Sequence, residues 1–249
     1  MSGWIERMFY VALALAAGWL GGHADFSRKP VAPAAHSTAT ASATSSLSAR
    51  GFVLLDAAGK RRAAWSVSPT GVAGFDIYDV HGMPRAQIAV AADGSGLFDL
   101  ANEAGKPTLT ISSIAKGGLT TLKLTTPDGV TRAELTMKDG DPAFVLCDHN
   151  GNRLVRTTVQ SDQPAIALYD PVGNWRSLMT LNTDGTPEFA LADQNAKPRA
   201  MLGLQPDGRP TFMMSSDGGK ALAVMTQNTD GAASLQLMGA DGVVVGHLP

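Results

Sequence analysis

From residue 51 onward, apolar and polar positions alternate in short runs, and the runs recur at a nearly constant spacing. Aligning the chain on apolar-x-apolar places run starts at Phe52, Phe75, Phe98, Leu122, Phe144, Ile166, Phe189, Phe212 and Leu235, spaced 23, 23, 24, 22, 22, 23, 23 and 23 residues apart. A period this regular identifies a repeat architecture. Each unit carries two glycine-bearing turns. The first has glycine at 59, 82, 105, 129, 151, 173, 218 and 242, with Ala196 in the remaining slot. The second has glycine at 71, 94, 117, 140, 185, 208 and 231, and Ser161-Asp162-Gln163-Pro164 in the fifth unit. The segments left between turns are about five to seven residues long, which suits strands and is too short for stable helices. Sets such as Ala63, Trp65, Val67 and Ala133, Leu135, Met137 lie on one face, with residues such as Arg62 and Glu134 between them. One apolar and one mixed face is the pattern of an antiparallel sheet covered on one side.

Register can be tested by arithmetic, because a one-residue slip moves a whole apolar set to the other face. A four-residue loop over Asp56 to Gly59 makes Phe52 face Ala63 and Leu54 face Arg61. A three-residue loop, Pro69-Thr70-Gly71, makes Trp65 face Phe75 and keeps the apolar set together. The same arithmetic in the next unit sets Asp76 opposite Arg85 on the outer face. The expected fold is therefore all-β: tandem β-hairpin repeats of about 23 residues forming an antiparallel meander, rolled into a barrel or shell-like body to cover its apolar face. The alternative is a parallel β-solenoid with two strands per coil and one unit per turn of the coil.

The first fifty residues are of another kind. Phe9 to Leu20 is uncharged and almost wholly apolar, and follows Arg7. As a helix it would span about 18 Å, short of the roughly 30 Å hydrocarbon core. That length fits a secretory signal, with Gly22-His23-Ala24 as a small-x-small cleavage site; an uncleaved anchor extended by Trp4 and Ile5 is the other reading. Residues 25–50 form a tract rich in Ala, Ser and Thr that cannot bury enough surface to repay its ordering entropy, and it reads as a flexible tether. The expected organisation is 1–24 signal peptide or membrane anchor, beginning as an apolar helix, then 25–50 tether, then 51–249 β-repeat domain of about nine units.

Charge argues against nucleic acid. The chain carries 20 Lys and Arg against 22 Asp and Glu, a net −2. Residues 51–249 hold 16 basic and 20 acidic residues, and 17 of the acidic ones are Asp, mostly in or beside turns where a short carboxylate accepts backbone N–H bonds. The one cysteine, Cys147, excludes an intramolecular disulfide.

Candidate chemistry is sparse. His81 and His149 sit in first turns of different units, and a metal site would need them brought together. Cys147 stands beside Asp148 and His149 on the outer face, where a free thiol without catalytic duty is the plainer reading. Asp139-Gly140-Asp141 and the turn aspartates offer mostly one carboxylate per turn, short of a calcium cage. Tyr78 and Tyr169 share one outer slot, filled elsewhere by Leu55 and Cys147, and could start an aromatic stripe. The outer arginines 62, 85, 132, 176 and 199 form a periodic row that could meet an anionic polymer, though pairing with neighbours such as Asp76 fits the negative domain better. The strands are too short, and their outer face too charged, for a transmembrane barrel. The phrases Tyr78-Asp79-Val80-His81-Gly82 and Tyr169-Asp170-Pro171-Val172-Gly173 resemble the Tyr-Asp repeats of large secreted bacterial shell proteins, a resemblance that implies hairpin sheets and covers two of nine units.

No residue is thus assigned as catalytic, cofactor-binding or metal-ligating. The expectation is an exported, non-enzymatic β-repeat structural or protein-interaction module of the cell envelope or extracellular space. Membrane contact is confined to residues 4–21 if these are uncleaved, and the partner is another protein or a second copy meeting an open edge strand. A secreted carbohydrate-binding protein or hydrolase with a loop-built site is the reading from another class.

Overall fold

The computed structural model describes residues 49–248. The signal or anchor expected over 1–24, its helix, and nearly all of the expected tether lie outside the described residues. The eighteen strands are β1 (Gly51–Leu55), β2 (Arg61–Val67), β3 (Ala73–Tyr78), β4 (Pro84–Val90), β5 (Gly96–Ala101), β6 (Pro107–Ile114), β7 (Leu119–Thr125), β8 (Thr131–Lys138), β9 (Asp141–Cys147), β10 (Arg153–Gln160), β11 (Gln163–Tyr169), β12 (Trp175–Leu181), β13 (Pro187–Ala192), β14 (Pro198–Leu204), β15 (Pro210–Ser215), β16 (Ala221–Gln227), β17 (Ala233–Met238) and β18 (Val244–Leu248). Each pairs antiparallel with the next, from β1 with β2 through to β17 with β18. No helix occurs among the described residues.

The meander is confirmed, and consecutive antiparallel pairing is incompatible with the parallel solenoid. Closure into a barrel or shell is not shown. The sheet is open, since among the described residues each strand touches only its neighbours in the chain. The expected cover over the apolar face therefore does not come from this sheet.

Both turns of most units share one geometry, the second turns β6–β7, β8–β9 and β10–β11 excepted. The Asp56 N–H donates to the Lys60 carbonyl at 2.9 Å, and the Gly59 N–H donates to the Asp56 carbonyl at 2.9 Å; Ser68, Gly71 and Val72 repeat the arrangement. The loop is three residues closed by a left-handed glycine, with φ +74° at Gly59 and +84° at Gly71. In the eighth unit this slot belongs to Gly219 (φ +77°), not Gly218. Ala196 fills it with φ +58°, a conformation that costs a residue bearing a Cβ.

Loop length also explains the period. Units with three-residue loops repeat every 23 residues. The pairing of Ile114 with Leu119 leaves a four-residue loop where the spacing is 24. Pairings of Lys138 with Asp141 and Gln160 with Gln163 leave two-residue loops where it is 22. Those short loops need left-handed residues, supplied by Asp139 (φ 54°) with Gly140, and by Ser161 (φ 50°) with Asp162 (φ 65°).

The second turns continue into unbroken ladders, and Trp65 faces Phe75 as expected. The first turns do not. Phe52 pairs with Trp65 and Leu54 with Ala63, whereas Leu55 pairs with Arg61, so Arg62 is bulged out of the ladder. The sequence register was therefore off by two residues: a loop shorter by one, followed by one bulged residue. The two effects preserve parity, so the faces are correct. Asp76 consequently lies opposite Gln87, not Arg85, and accepts a bond from the Gln87 side-chain amide at 3.0 Å.

Candidate functional site: the two faces and the bulged rim

The same register shift follows every first turn, which puts nine bulges along one rim of the sheet. A bulge bends its strand and adds twist. It also leaves backbone groups without ladder partners. The bulged residues include Arg62, Arg85, Arg132, Arg176 and Arg199, so the outer arginine row is a row of bulge positions.

The row has a specific task. The Arg62 Nε donates to the Tyr78 carbonyl at 3.1 Å, that of Arg132 to Cys147 at 3.2 Å, that of Arg176 to Ala192 at 3.0 Å and that of Arg199 to Ser215 at 2.9 Å. Each accepting residue ends the first strand of the next hairpin, just past its last ladder pair with the arginine's own strand. The guanidinium thus ties the bulged strand to the following one, one residue beyond the end of their unbroken ladder. Three of the four also reach the aspartate of their own turn, Arg62 to Asp56 at 4.0 Å, Arg176 to Asp170 at 3.7 Å and Arg199 to Asp193 at 3.3 Å. Arg199 also pairs with Asp217. Arg85 makes no such bond and influences the Asp79 carboxylate electrostatically. Bulge and clamp were both missed from sequence. The signal was present: a three-residue first loop would pair Phe52 with Ala64, apolar against the wrong face, unless one residue is skipped.

The turn aspartates are occupied by their own backbones. Asp56 Oδ1 accepts from the Ala58 and Lys60 N–H groups, both at 2.9 Å; Asp79 from His81 and Met83; Asp148 from Asn150 and Asn152. The Met83 N–H leads the effects that hold the Asp79 carboxyl below the ordinary range. His81 and His149 are exposed, in the β3–β4 and β9–β10 turns. Six strands separate those turns, roughly 29 Å at sheet spacing, so the fold does not join them. Among the described residues no three His, Cys, Asp or Glu side chains converge as metal ligands. Asp139 lies in a tight turn, and Asp141 accepts from the Ser161 N–H at 3.3 Å.

Cys147 is half-buried and free, and burial pushes its thiol up, away from thiolate. Tyr78 and Tyr169 do share a slot, and each is capped by a cation: the Arg61 guanidinium lies 4.2 Å from the Tyr78 ring centre, and that of Arg153 lies 4.1 Å from Tyr169. Such stacking occupies the ring face that an aromatic stripe would offer.

The two faces differ sharply. One is mixed: Ala64, Ala89, Thr121, Ala143, Ala167, Ala190, Ser234 and Asp99 are buried on it, beside polar residues such as Asp76, Gln87 and Glu134 and larger apolar ones such as Leu178, Met201 and Val224. Burial raises the Asp99 carboxyl, and Thr110 Oγ1 donates to it at 2.6 Å. The other face carries two continuous apolar rows beside a third, mixed one that includes Val67, Val90, Met137, Leu181 and Leu204 with Ser113, Thr120 and Gln227. The first runs Phe52, Trp65, Phe75, Ile88, Phe98, Ile111, Leu122, Leu135 and Phe144, and continues through Thr157 to Ile166, Met179, Phe189, Leu202, Phe212, Met225, Leu235 and Leu248. The second starts at Leu54, Ala63, Ile77 and Ala86 and ends at Leu237 and Gly246. Neither row contains a charge. Trp65 is 62% exposed, Met179 56% and Leu202 53%.

No family model matches the chain, and no curated protein does. Among solved structures, the TCP domain of Drosophila melanogaster SAS-4, solved with a proline-rich motif of Ana2, aligns over 84% of this chain and 97% of that domain at 10% identity, with a TM-score of 0.28. The Photorhabdus luminescens Tc holotoxin pore aligns over 80% of this chain and 12% of that one at 10% identity, with a TM-score of 0.19.

Proposed function

We propose that this chain is an exported, non-enzymatic β-repeat module of the cell envelope or extracellular space that works by binding another protein surface. The observation that carries this is the charge-free apolar band on one face of all eighteen strands. On soluble monomers the largest apolar patch is usually about 300–600 Å². This band is several strands longer than such a patch, and exposed apolar surface of that extent is what an interaction face provides. The rest of the molecule serves to display it. Arginines, turn aspartates and rim threonines are engaged with backbone groups, which keeps the ribbon in register without a second layer. Export rests on the Phe9 to Leu20 segment and its Gly22-His23-Ala24 site.

Photo-crosslinking amino acids at Phe144 and Ile166 of the full chain in its host, with Gln236 on the opposite face as control, test the reading. Adducts with protein from the first two positions, in a fraction outside the cytosol, are expected. Retention in the cytosol would overturn export, and the absence of protein adducts would overturn the interaction face.

A further inference from the structure

We infer that the apolar face is the interface between two copies of this chain, packed face to face as a two-layer sandwich. The inference rests on the reading of that face as a binding surface and names its occupant.

Size is the first argument. Eighteen strands at about 4.8 Å spacing make a band roughly 80 Å long, and two residue rows make it about 14 Å wide. Each copy would bury about 1,100 Å², or about 2,200 Å² in total, above the roughly 1,600 Å² of a standard stable interface. The chain's own apolar segment is too small for the task. Phe9 to Leu20 would span about 18 Å as a helix, under a quarter of the band.

Shape is the second. In the second row, large and small residues alternate in seven of the nine hairpins: Leu54 with Ala63, Ile77 with Ala86, Leu124 with Ala133, Leu168 with Ser177, Leu191 with Ala200, Met214 with Ala223, and Leu237 with Gly246. Seven of the nine hairpins therefore present a hollow, about 9.6 Å from the next where neighbouring hairpins both have one, and Leu109 and Val155 fill it in the other two. An occupant must bring projections at that same interval along some 80 Å. A second copy does so by construction, because its own Leu and Ile residues stand at the interval of the hollows. Such pairing is isologous and closes on itself. Met179, Met214 and Met225 add side chains that adapt to residual mismatch. The charged turn residues lie on the rims, outside the two rows.

The test uses the full chain in solution. Light scattering at high micromolar concentration is expected to give twice the 25.8 kDa chain mass. Met179→Asp and Leu202→Asp should weaken dimerisation by about tenfold or more each, while Gln236→Asp leaves it unchanged. Carbene footprinting of the unmodified chain guards against a variant that fails to fold: labelling of Phe144, Ile166 and Leu202 should rise on dilution, with no rise at Gln236. A monomer at every concentration whose apolar face crosslinks to a different protein in cells would overturn the second copy while sparing the interaction face. A monomer that crosslinks to nothing would overturn both. A dimer that survives in folded Met179→Asp and Leu202→Asp, or a footprint indifferent to dilution, would show association elsewhere and overturn this interface.

Discussion

The two ends of strand β12 solve the same problem with different chemistry. At the bulged end, Arg176 donates forward to the Ala192 carbonyl of the next hairpin at 3.0 Å. At the other end, Thr180 donates backward to the Pro164 carbonyl of β11, the other strand of its own hairpin, at 2.9 Å. A hydroxyl suffices there, because the Pro164 carbonyl lies one residue past the Ala165–Thr180 pair. At the bulged end a long guanidinium reaches the Ala192 carbonyl, one residue past the last β12–β13 pair. Arg132 and Arg199 repeat the first solution, and Thr158 and Thr226 repeat the second. A sheet one layer thick is thus held at both rims by side chains that bind backbone.

The glycines common to both rims give the largest expected effect. Gly173 (φ +93°) and Gly185 (φ +83°) flank β12 with open space around a would-be Cβ. Gly173→Val and Gly185→Val should therefore each cost about 2 kcal/mol from backbone strain alone, measured by chemical denaturation. Unequal losses would show that the rims differ in the loop as well as in the clamp.

Next come the clamps. Arg176→Ala should destabilise by about 1–1.5 kcal/mol and Thr180→Val by about 0.5–1 kcal/mol. Hydrogen exchange should report the losses on opposite sides, toward β13 for the arginine and toward β11 for the threonine. The two share no partner, so the double variant should be additive within about 0.5 kcal/mol. Coupling larger than that would mean the rims communicate along the strand.

A smaller effect of opposite sign is expected at Ala196. Ala196→Gly relieves a left-handed alanine and should stabilise by about 0.5–1 kcal/mol, read as a higher denaturation midpoint.

The smallest concerns acid. Backbone bonds led by that from Met83 hold the Asp79 carboxyl below its ordinary value, so the folded chain keeps this charge to lower pH than the unfolded chain does. Its contribution is complete above the unfolded value near 4 and fades as pH falls below it. Asp79→Asn should flatten that part of the pH–stability curve, because an amide oxygen still accepts, as Asn102 does from Ala104 and Lys106 at 2.9 and 3.0 Å.

Much of this architecture was legible beforehand. Phe52, Trp65 and Phe75 share a face because alternation and turn parity require it. The variable period follows from turns that the sequence marks with Asp-Gly or Ser-Asp. The bulge was missed at Arg62 because two one-residue effects left the parity test satisfied. The clamp was missed because an arginine bonding a carbonyl sixteen residues away has no local signature; only the knowledge that Arg62 is skipped turns the row from a surface feature into a structural one. The openness of the sheet escaped for another reason. Alternation tells which face is apolar and says nothing of whether the same molecule covers it.

Sequential pairing has an evolutionary consequence. A duplicated stretch of 23 residues would lengthen the ribbon by about 9.6 Å and ask nothing of distant parts, since every strand answers only to the two beside it. Losing one residue inside a strand would instead reverse the greasy side from that point onward. Such a fold accommodates the gain or loss of whole modules far better than the loss of a single residue inside a strand, and its reach grows with the number of repeats.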